Sequence, residues 1–384
     1  MQQNLFKEYS IQEIKKLGEE KSKQNLMLLI DLYKNYNCSI DVKREIVSSI
    51  GRQNEDEKVY AFLKDNVFKT GYMELVYQMY RTCLYKSKDE KFLELGEKIY
   101  TYFDNEVIKK MKDYYDYRHI RKKNEKKKKQ INSPTLLVGD NQKTLKKIED
   151  NSIQLIFTSP PYYNARIYSD YKSYKDYLAS MYKTLKECSR VLEAGRFIII
   201  NVSPVITKRP GREFESIRYP IHYDFHTILT KAGFYFVDEI QWIKPESSVK
   251  NRNGGYQQTQ MPLSYKPNCI NESIMVYRKN APFLLDKNIH NYDKSYANNE
   301  SSFDTSNCWY IAPKADKNHP AVFPEELCKK ILTYYSFKGD VVLDPFAGSG
   351  TFGRVARQMD RIPVLCEINE QYCEVIRREK YVNL

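Results

Sequence analysis

An apolar run, Ile153-Gln154-Leu155-Ile156-Phe157, is followed at once by Thr158-Ser159-Pro160-Pro161-Tyr162. The run reads as a buried strand. Two consecutive prolines cannot extend a sheet ladder, because neither has a backbone N–H to donate. They fix a rigid turn at the carboxyl end of the strand, where open α/β sheets keep their ligand sites. A hydroxyl, free carbonyls and an aromatic ring are thereby held together, a set that suits a planar substrate carrying an amine. An ordinary strand-ending turn can look the same over so short a stretch.

The flanking segments supply a parallel sheet. Pro134 marks the entry to this region. Residues 135–140 read as a strand ending in a Gly-Asp turn, 143–148 as a short helix, and Asn151-Ser152 as the turn into the apolar run. That is a strand–helix–strand pattern. Residues 174–192 read as a helix with Tyr177, Met181, Leu185 and Cys188 on one face, ended by Gly195, and 197–202 as a buried strand. A helix over 222–232, a strand over 234–243 and a neighbouring strand over 272–277 follow.

A second strand-and-turn lies far downstream, in Asp340-Val341-Val342-Leu343-Asp344-Pro345-Phe346-Ala347-Gly348-Ser349-Gly350-Thr351. Its glycines let the backbone approach a ligand, and a helix starting near Thr351 presents unpaired N–H groups. The strand over 362–366 ends in Glu367, an acidic residue about 20 positions on, which suits ribose hydroxyls. The turn lacks G-x-G-x-x-G spacing, so it fits a nucleoside ligand better than a pyrophosphate.

Residues 1–117 differ in kind: they contain no proline and few glycines. Tyr72, Leu75, Val76, Met79, Tyr80 and Cys83 recur at helical spacing. A longer step of 33 residues relates Leu26, Val59 and Phe92; Leu29, Phe62 and Leu95; Val42, Leu75 and Ile108; and Ile46 with Met79. Such a period predicts an all-α, HEAT-like array of about three stacked hairpins. Its surface could grip DNA, dock a partner, or serve as a structural extension of the next domain. Residues 118–132 are basic, with Arg118, Arg121, Lys122, Lys123 and Lys126 to Lys129, and read as an exposed linker or a helix end that could touch phosphates.

The balance of Lys+Arg 62 against Asp+Glu 49, a formal +13, favours a polyanionic partner, nucleic acid first. The 33 tyrosines add stacking surface. The polar loop over 244–271 carries Lys244, Lys250, Arg252, Gln257, Gln258 and Lys266, side chains of the kind that read base edges in the major groove. None of the eight cysteines forms a C-x-x-C pair or clusters with His at zinc spacing, so no metal site is expected. No signal-peptide core and no apolar run near a membrane span's length of about 20 residues is visible, which predicts a cytoplasmic protein with reduced thiols.

Taken together, Ser159-Pro160-Pro161-Tyr162 and the stretch from Asp344 to Thr351 resemble the motifs of S-adenosylmethionine-dependent DNA amino-methyltransferases. The catalytic motif precedes the cofactor motif, an order similar to the family's β group. Leu137-Val138-Gly139-Asp140, Trp242-Ile243-Lys244-Pro245, Tyr265-Lys266-Pro267-Asn268 and His319-Pro320-Ala321-Val322-Phe323-Pro324 resemble further family segments. The resemblance covers about residues 133–384 and leaves out residues 1–130. It implies an α/β, Rossmann-like class I methyltransferase domain with a permuted, mostly parallel sheet and an inserted recognition region about 244–312. It also implies that Asp140, Thr158, Phe323, Asp344, Pro345, Phe346, Gly348, Ser349, Gly350, Thr351 and Glu367 serve the cofactor, and that Ser159, Pro160, Pro161 and Tyr162 serve catalysis.

On that chemistry, the amine of a flipped-out base hydrogen-bonds to the Ser159 hydroxyl and the Pro160 carbonyl, Tyr162 stacks on the base, and the methyl group passes directly. Ring-carbon methylation is disfavoured, since no cysteine follows a proline. Ser at the first motif position is similar to N4-cytosine members, where N6-adenine members carry Asp or Asn. The expected function is sequence-specific N4-cytosine methylation of double-stranded DNA within a restriction–modification system, with a cognate restriction endonuclease as partner. N6-adenine methylation and a catalytically inactive nucleic-acid-binding protein are the alternatives.

Overall fold

A computed structural model of the chain describes residues 9–120, 131–163, 171–207, 211, 213–214, 216–249, 263, 267–281, 304–314 and 322–383. Two compact units divide it, Met1–Glu125 and Lys126–Leu384. No helix among the described residues is long and apolar enough to cross a membrane.

The first unit contains seven described helices: α1 (Ile11–Glu19), α2 (Lys23–Asn35), α3 (Ile40–Gly51), α4 (Asp56–Asn66), α5 (Met73–Tyr85), α6 (Glu90–Phe103) and α7 (Glu106–Ile120). Helix α7 thus runs three residues past the expected boundary at 117. Side chains at the starts of the helices fix where they begin: Ser10 forms a capping box with Glu13, and Ser22, Ser39 and Asp89 each accept a backbone N–H. Helix α1 packs on α3, α3 on α5 and α5 on α7, while α4 packs on α6. The 33-residue step falls on this alternation. Leu26, Val59 and Phe92 occupy α2, α4 and α6 and are fully buried, whereas Leu75 and Ile108 repeat the place of half-buried Val42 in α5, α7 and α3.

The same step repeats a backbone contact. A Cβ at Gly18 would lie 2.5 Å from Ser49 Oγ, and one at Gly51 would lie 2.3 Å from Thr82 Oγ1. Both partners are themselves 33 residues apart. Each glycine lets one odd-numbered helix press against the next. In an open helix Gly→Ala gains about 1 kcal/mol. Here Gly51→Ala is expected to lose about 1–3 kcal/mol through overpacking, and pairing it with Thr82→Ala to recover most of the loss. Thermal unfolding of the three proteins checks this, and a higher midpoint for Gly51→Ala alone contradicts it.

The second unit is a nine-stranded sheet in the order β11-β1-β10-β9-β2-β3-β7-β6-β8. Its strands are β1 (Thr135–Val138), β2 (Ile153–Thr158), β3 (Leu192–Val202), β6 (Phe234–Ile243), β7 (Asn271–Lys279), β8 (Cys308–Tyr310), β9 (Val341–Asp344), β10 (Ile362–Glu367) and β11 (Val382–Asn383). From β11 to β3 all neighbours are parallel; β7 runs antiparallel to both β3 and β6. A separate antiparallel pair joins β4 (Val205–Ile206) to β5 (Arg218–Tyr219).

Alternation along β2 feeds two cores. Leu155 and Phe157 pack with α11 (Glu325–Tyr335) and α12 (Thr351–Gln358) on one face. Ile156 packs with α9 (Tyr174–Val191) and α10 (Ile221–Lys231) on the other. Both faces are covered, so the central strands β2 and β9 are mostly apolar along their length. Two details differ from the sequence reading. Gly195 does not end an element; it adopts φ 78° inside β3, opposite a register shift in β2 between Ile153 and Leu155. The stretch 244–312 also holds β7 and β8, so it passes through the sheet rather than standing apart from it.

Candidate active site

Strand order reverses between β9 and β2: from β2 the chain continues to β3 on one side, and from β9 to β10 on the other. A crevice opens at the carboxyl ends of strands at such a point. Here it is a cavity of about 610 Å³. Ser159, Pro160, Pro161 and Tyr162 line it from the end of β2, and Asp344, Pro345, Phe346, Gly348, Ser349 and Thr351 from the end of β9. Glu367 contributes from β10, Asp140 from the turn after β1, and Phe323 from ahead of α11. Thr158 and Gly350 stand behind this wall. Stretches nearly 200 residues apart in the chain thus meet, and one buried hydrogen bond joins them: Thr158 Oγ1 donates to Asp344 Oδ1 at 2.6 Å.

On the β9 side, the Phe346 N–H donates to the same Asp344 oxygen at 3.0 Å. Burial nevertheless pushes the Asp344 carboxyl up to about 7. Glu367 accepts three backbone N–H groups, from Gly348 at 2.7 Å, Ile368 at 2.9 Å and Asn369 at 2.7 Å. Burial raises it as well, against the pull of those bonds. Gly350 has φ 80° as the residue capping α12, and a Cβ there would lie 2.9 Å from Ile376, so the tight turn needs glycine on both counts. Asp140 caps α8 (Asn141–Thr144), accepting from Gln142 N at 3.0 Å. Asn141 ties that turn to the other motif by donating to the Pro345 carbonyl at 2.9 Å. Phe323 stacks on Phe157, centroids 4.6 Å apart, so it is both a core and a cavity residue.

This wall offers carboxylates, backbone turns and aromatic rings. Its chemistry fits a cationic ligand with a sugar diol and a planar base. Among the described residues no group of three His, Cys, Asp or Glu side chains could hold a metal ion.

On the β2 side the hydroxyls form a directed chain. Ser159 Oγ donates to Tyr162 Oη at 3.5 Å, and Tyr162 Oη donates to Glu272 Oε2 at 3.1 Å. Asn201 Nδ2 and Lys244 Nζ also donate to Glu272, one to each oxygen. The Lys244 ammonium lies 4.4 Å from the centre of the Trp242 ring, and its side chain is only 16% exposed. Lys244, expected to reach DNA, is therefore part of the cavity wall with a carboxylate partner. Lys250, Arg252, Gln257, Gln258 and Lys266 lie outside the described residues. Burial, then the Glu272 charge, holds the Tyr162 phenol well above its ordinary value, so it stays protonated.

Glu272 and Asn201 were not singled out from the sequence. Glu272 sits at the start of an apolar strand and meets Tyr162, 110 positions away, and Lys244, 28 positions away. The usable signal was strand pairing: antiparallel β6 and β7 place Trp242 opposite Glu272.

Residues 153–378 match the family described as DNA methylase. The chain is 30% identical over 251 residues to the Type II beta methyltransferase M.BslI of Bacillus sp. (strain NEB-606), covering 63% of this chain and 27% of that protein. It is 30% identical over 255 residues to the Type II methyltransferase M.HpaI of Haemophilus parainfluenzae, covering 63% and 72%. It is 29% identical over 250 residues to the DNA adenine methyltransferase YhdJ of Escherichia coli (strain K12), covering 63% and 80%.

Proposed function

The chain belongs to the DNA methylase family, and from that premise we propose that it methylates the N4 amine of cytosine in duplex DNA, using S-adenosylmethionine. The reading is carried by the juxtaposition of Ser159-Pro160-Pro161-Tyr162 with the Asp344–Thr351 turn in one cavity, held by the Thr158–Asp344 hydrogen bond.

The donor supplies an electrophilic methyl group on a sulfonium and departs as a neutral thioether. Asp344 and Glu367 hold the cation and the ribose, with Phe346 and Phe323 against the flat parts. The base amine is a poor nucleophile while its lone pair is delocalised into the ring. Accepting its hydrogens at Ser159 Oγ and the Pro160 carbonyl favours a pyramidal nitrogen, and Tyr162 stacks on the base to fix its plane; the nitrogen lone pair takes the methyl as the carbon–sulfur bond breaks, and the cationic nitrogen then loses one proton to water. Positioning of this kind supplies most of the acceleration. A hydroxyl at position 159, where an amide or carboxylate would suit adenine, favours cytosine.

The relatives described as Type II methyltransferases favour a place in a restriction–modification system with a cognate endonuclease. Residues 1–117 are assigned as a HEAT-like array that docks DNA or a partner. Labelled cofactor offered in parallel with duplex DNA, RNA and protein tests the substrate class. Label in duplex DNA alone is expected; label in RNA or protein instead overturns the reading.

A further inference from the structure

The hydrogen-bond chain on the β2 side has a direction, and Glu272 sets it. We propose that Glu272 is a positioning residue that polarises Tyr162 and Ser159 so that the cavity presents acceptors, and selects an exocyclic amine over an exocyclic oxygen. The proposal rests on the methyltransferase reading above and deepens it.

Glu272 receives Lys244 on one oxygen and Asn201 and Tyr162 on the other, so it acts only as an acceptor. Lys244 is its counter-ion within a wall where both side chains are about 15% exposed. An ionised carboxylate cannot donate, so the Tyr162 proton must point at Glu272. The phenol stays protonated, which keeps that proton in place. Tyr162 Oη is then left as an acceptor, and it receives the Ser159 hydroxyl proton at 3.5 Å. With its proton turned away, Ser159 Oγ faces the cavity with lone pairs. The chain reads ammonium, carboxylate, phenol, hydroxyl, and its free end accepts an N–H.

Asn201 adds to the same polarity. Its Nδ2 donates to Glu272 and also reaches Tyr162 Oη at 3.5 Å, so its orientation is fixed, since the reverse would set two oxygens against each other. Its Oδ1 is buried, has no hydrogen-bond partner, and belongs to a residue that lines the cavity and is 1% exposed. An unmet buried acceptor is costly. A keto oxygen in the cavity would add a second unmet acceptor beside it, whereas an amine, whose two hydrogens go to Ser159 Oγ and the Pro160 carbonyl, would not. Neither Asn201 nor Glu272 needs to touch the methyl group for this to matter.

The closing experiment is a double-mutant cycle on single-turnover methyl transfer, with excess enzyme, labelled S-adenosylmethionine and duplex DNA from a methylation-deficient bacterial strain. Glu272→Gln and Tyr162→Phe are each expected to slow transfer about 100- to 1,000-fold, with cofactor affinity within about twofold of wild type. Because Glu272 acts through the Tyr162 hydroxyl, the Glu272→Gln, Tyr162→Phe double variant should be no slower than the slower single variant. Effects that multiply overturn the proposal, as does full activity in Glu272→Gln. Removing one partner of a buried ion pair can unfold a protein. If Glu272→Gln loses cofactor binding, the doubly neutral Lys244→Met, Glu272→Gln variant takes its place in the cycle, with the same outcomes deciding. A wild-type enzyme that labels no DNA overturns the methyltransferase reading and this inference with it.

Discussion

Replacing Asp344 by asparagine is expected to weaken S-adenosylmethionine binding about 10- to 100-fold at pH 8 and to flatten its pH dependence. The size follows from losing one charge-assisted contact, about 1.5–3 kcal/mol, at about 1.4 kcal/mol per tenfold change. The pH dependence follows from burial, which raises the Asp344 carboxyl from 3.8 to about 7. A carboxyl raised on folding contributes stability that is complete below its ordinary value and is lost as pH rises through about 7. Without a ligand, then, ionising Asp344 costs the fold. A cation against it reverses that preference, and binding expels a proton wherever Asp344 is still protonated. Affinity should rise by up to about tenfold per pH unit below pH 7 and level off above it. Titrations from pH 5.5 to 8.5 on both proteins check this. A wild-type affinity that is flat across the range, or an asparagine variant with the same slope, contradicts the role given to Asp344.

The Ser159→Ala, Tyr162→Ala double variant is expected to slow methyl transfer about 1,000-fold or more while binding cofactor within about twofold of wild type. The serine supplies an acceptor for the reacting amine, an effect worth about 100- to 1,000-fold. The tyrosine ring supplies stacking of about 1–3 kcal/mol on a flipped base. Neither hydrogen-bonds to Glu367, which accepts from the glycine turn and is the group proposed to bind the donor from β10. Retained activity refutes the placement of catalysis at the end of β2.

Much of this arrangement was legible in the sequence, for identifiable reasons. Ile153–Thr158 and Val341–Asp344 are short apolar runs closed by proline, so both their burial and their ends are written locally. The helical unit was legible because its contacts repeat: what Gly18 does against Ser49, Gly51 does against Thr82. Cys308–Tyr310 was not read as a strand because three residues carry no period. Gly195 looks like a stop in sequence because glycine commonly ends elements; here its positive φ lies within β3. The Glu272 network was out of reach because each of its bonds joins a different strand or turn. Lys244 shows the same limit: its residue type alone does not tell that it packs on Trp242 and pairs with Glu272. Residue type names what a side chain can do, and packing decides which of those things it does.

The cavity between β2 and β9 is proposed to methylate the exocyclic amine of cytosine. The most direct test is to methylate duplex DNA from a methylation-deficient strain with the purified protein, digest it to nucleosides, and weigh the products. N4-methylcytosine as the sole new nucleoside is the expected result. N6-methyladenine as the sole product, or a methyl group on the cytosine ring carbon, would contradict the account.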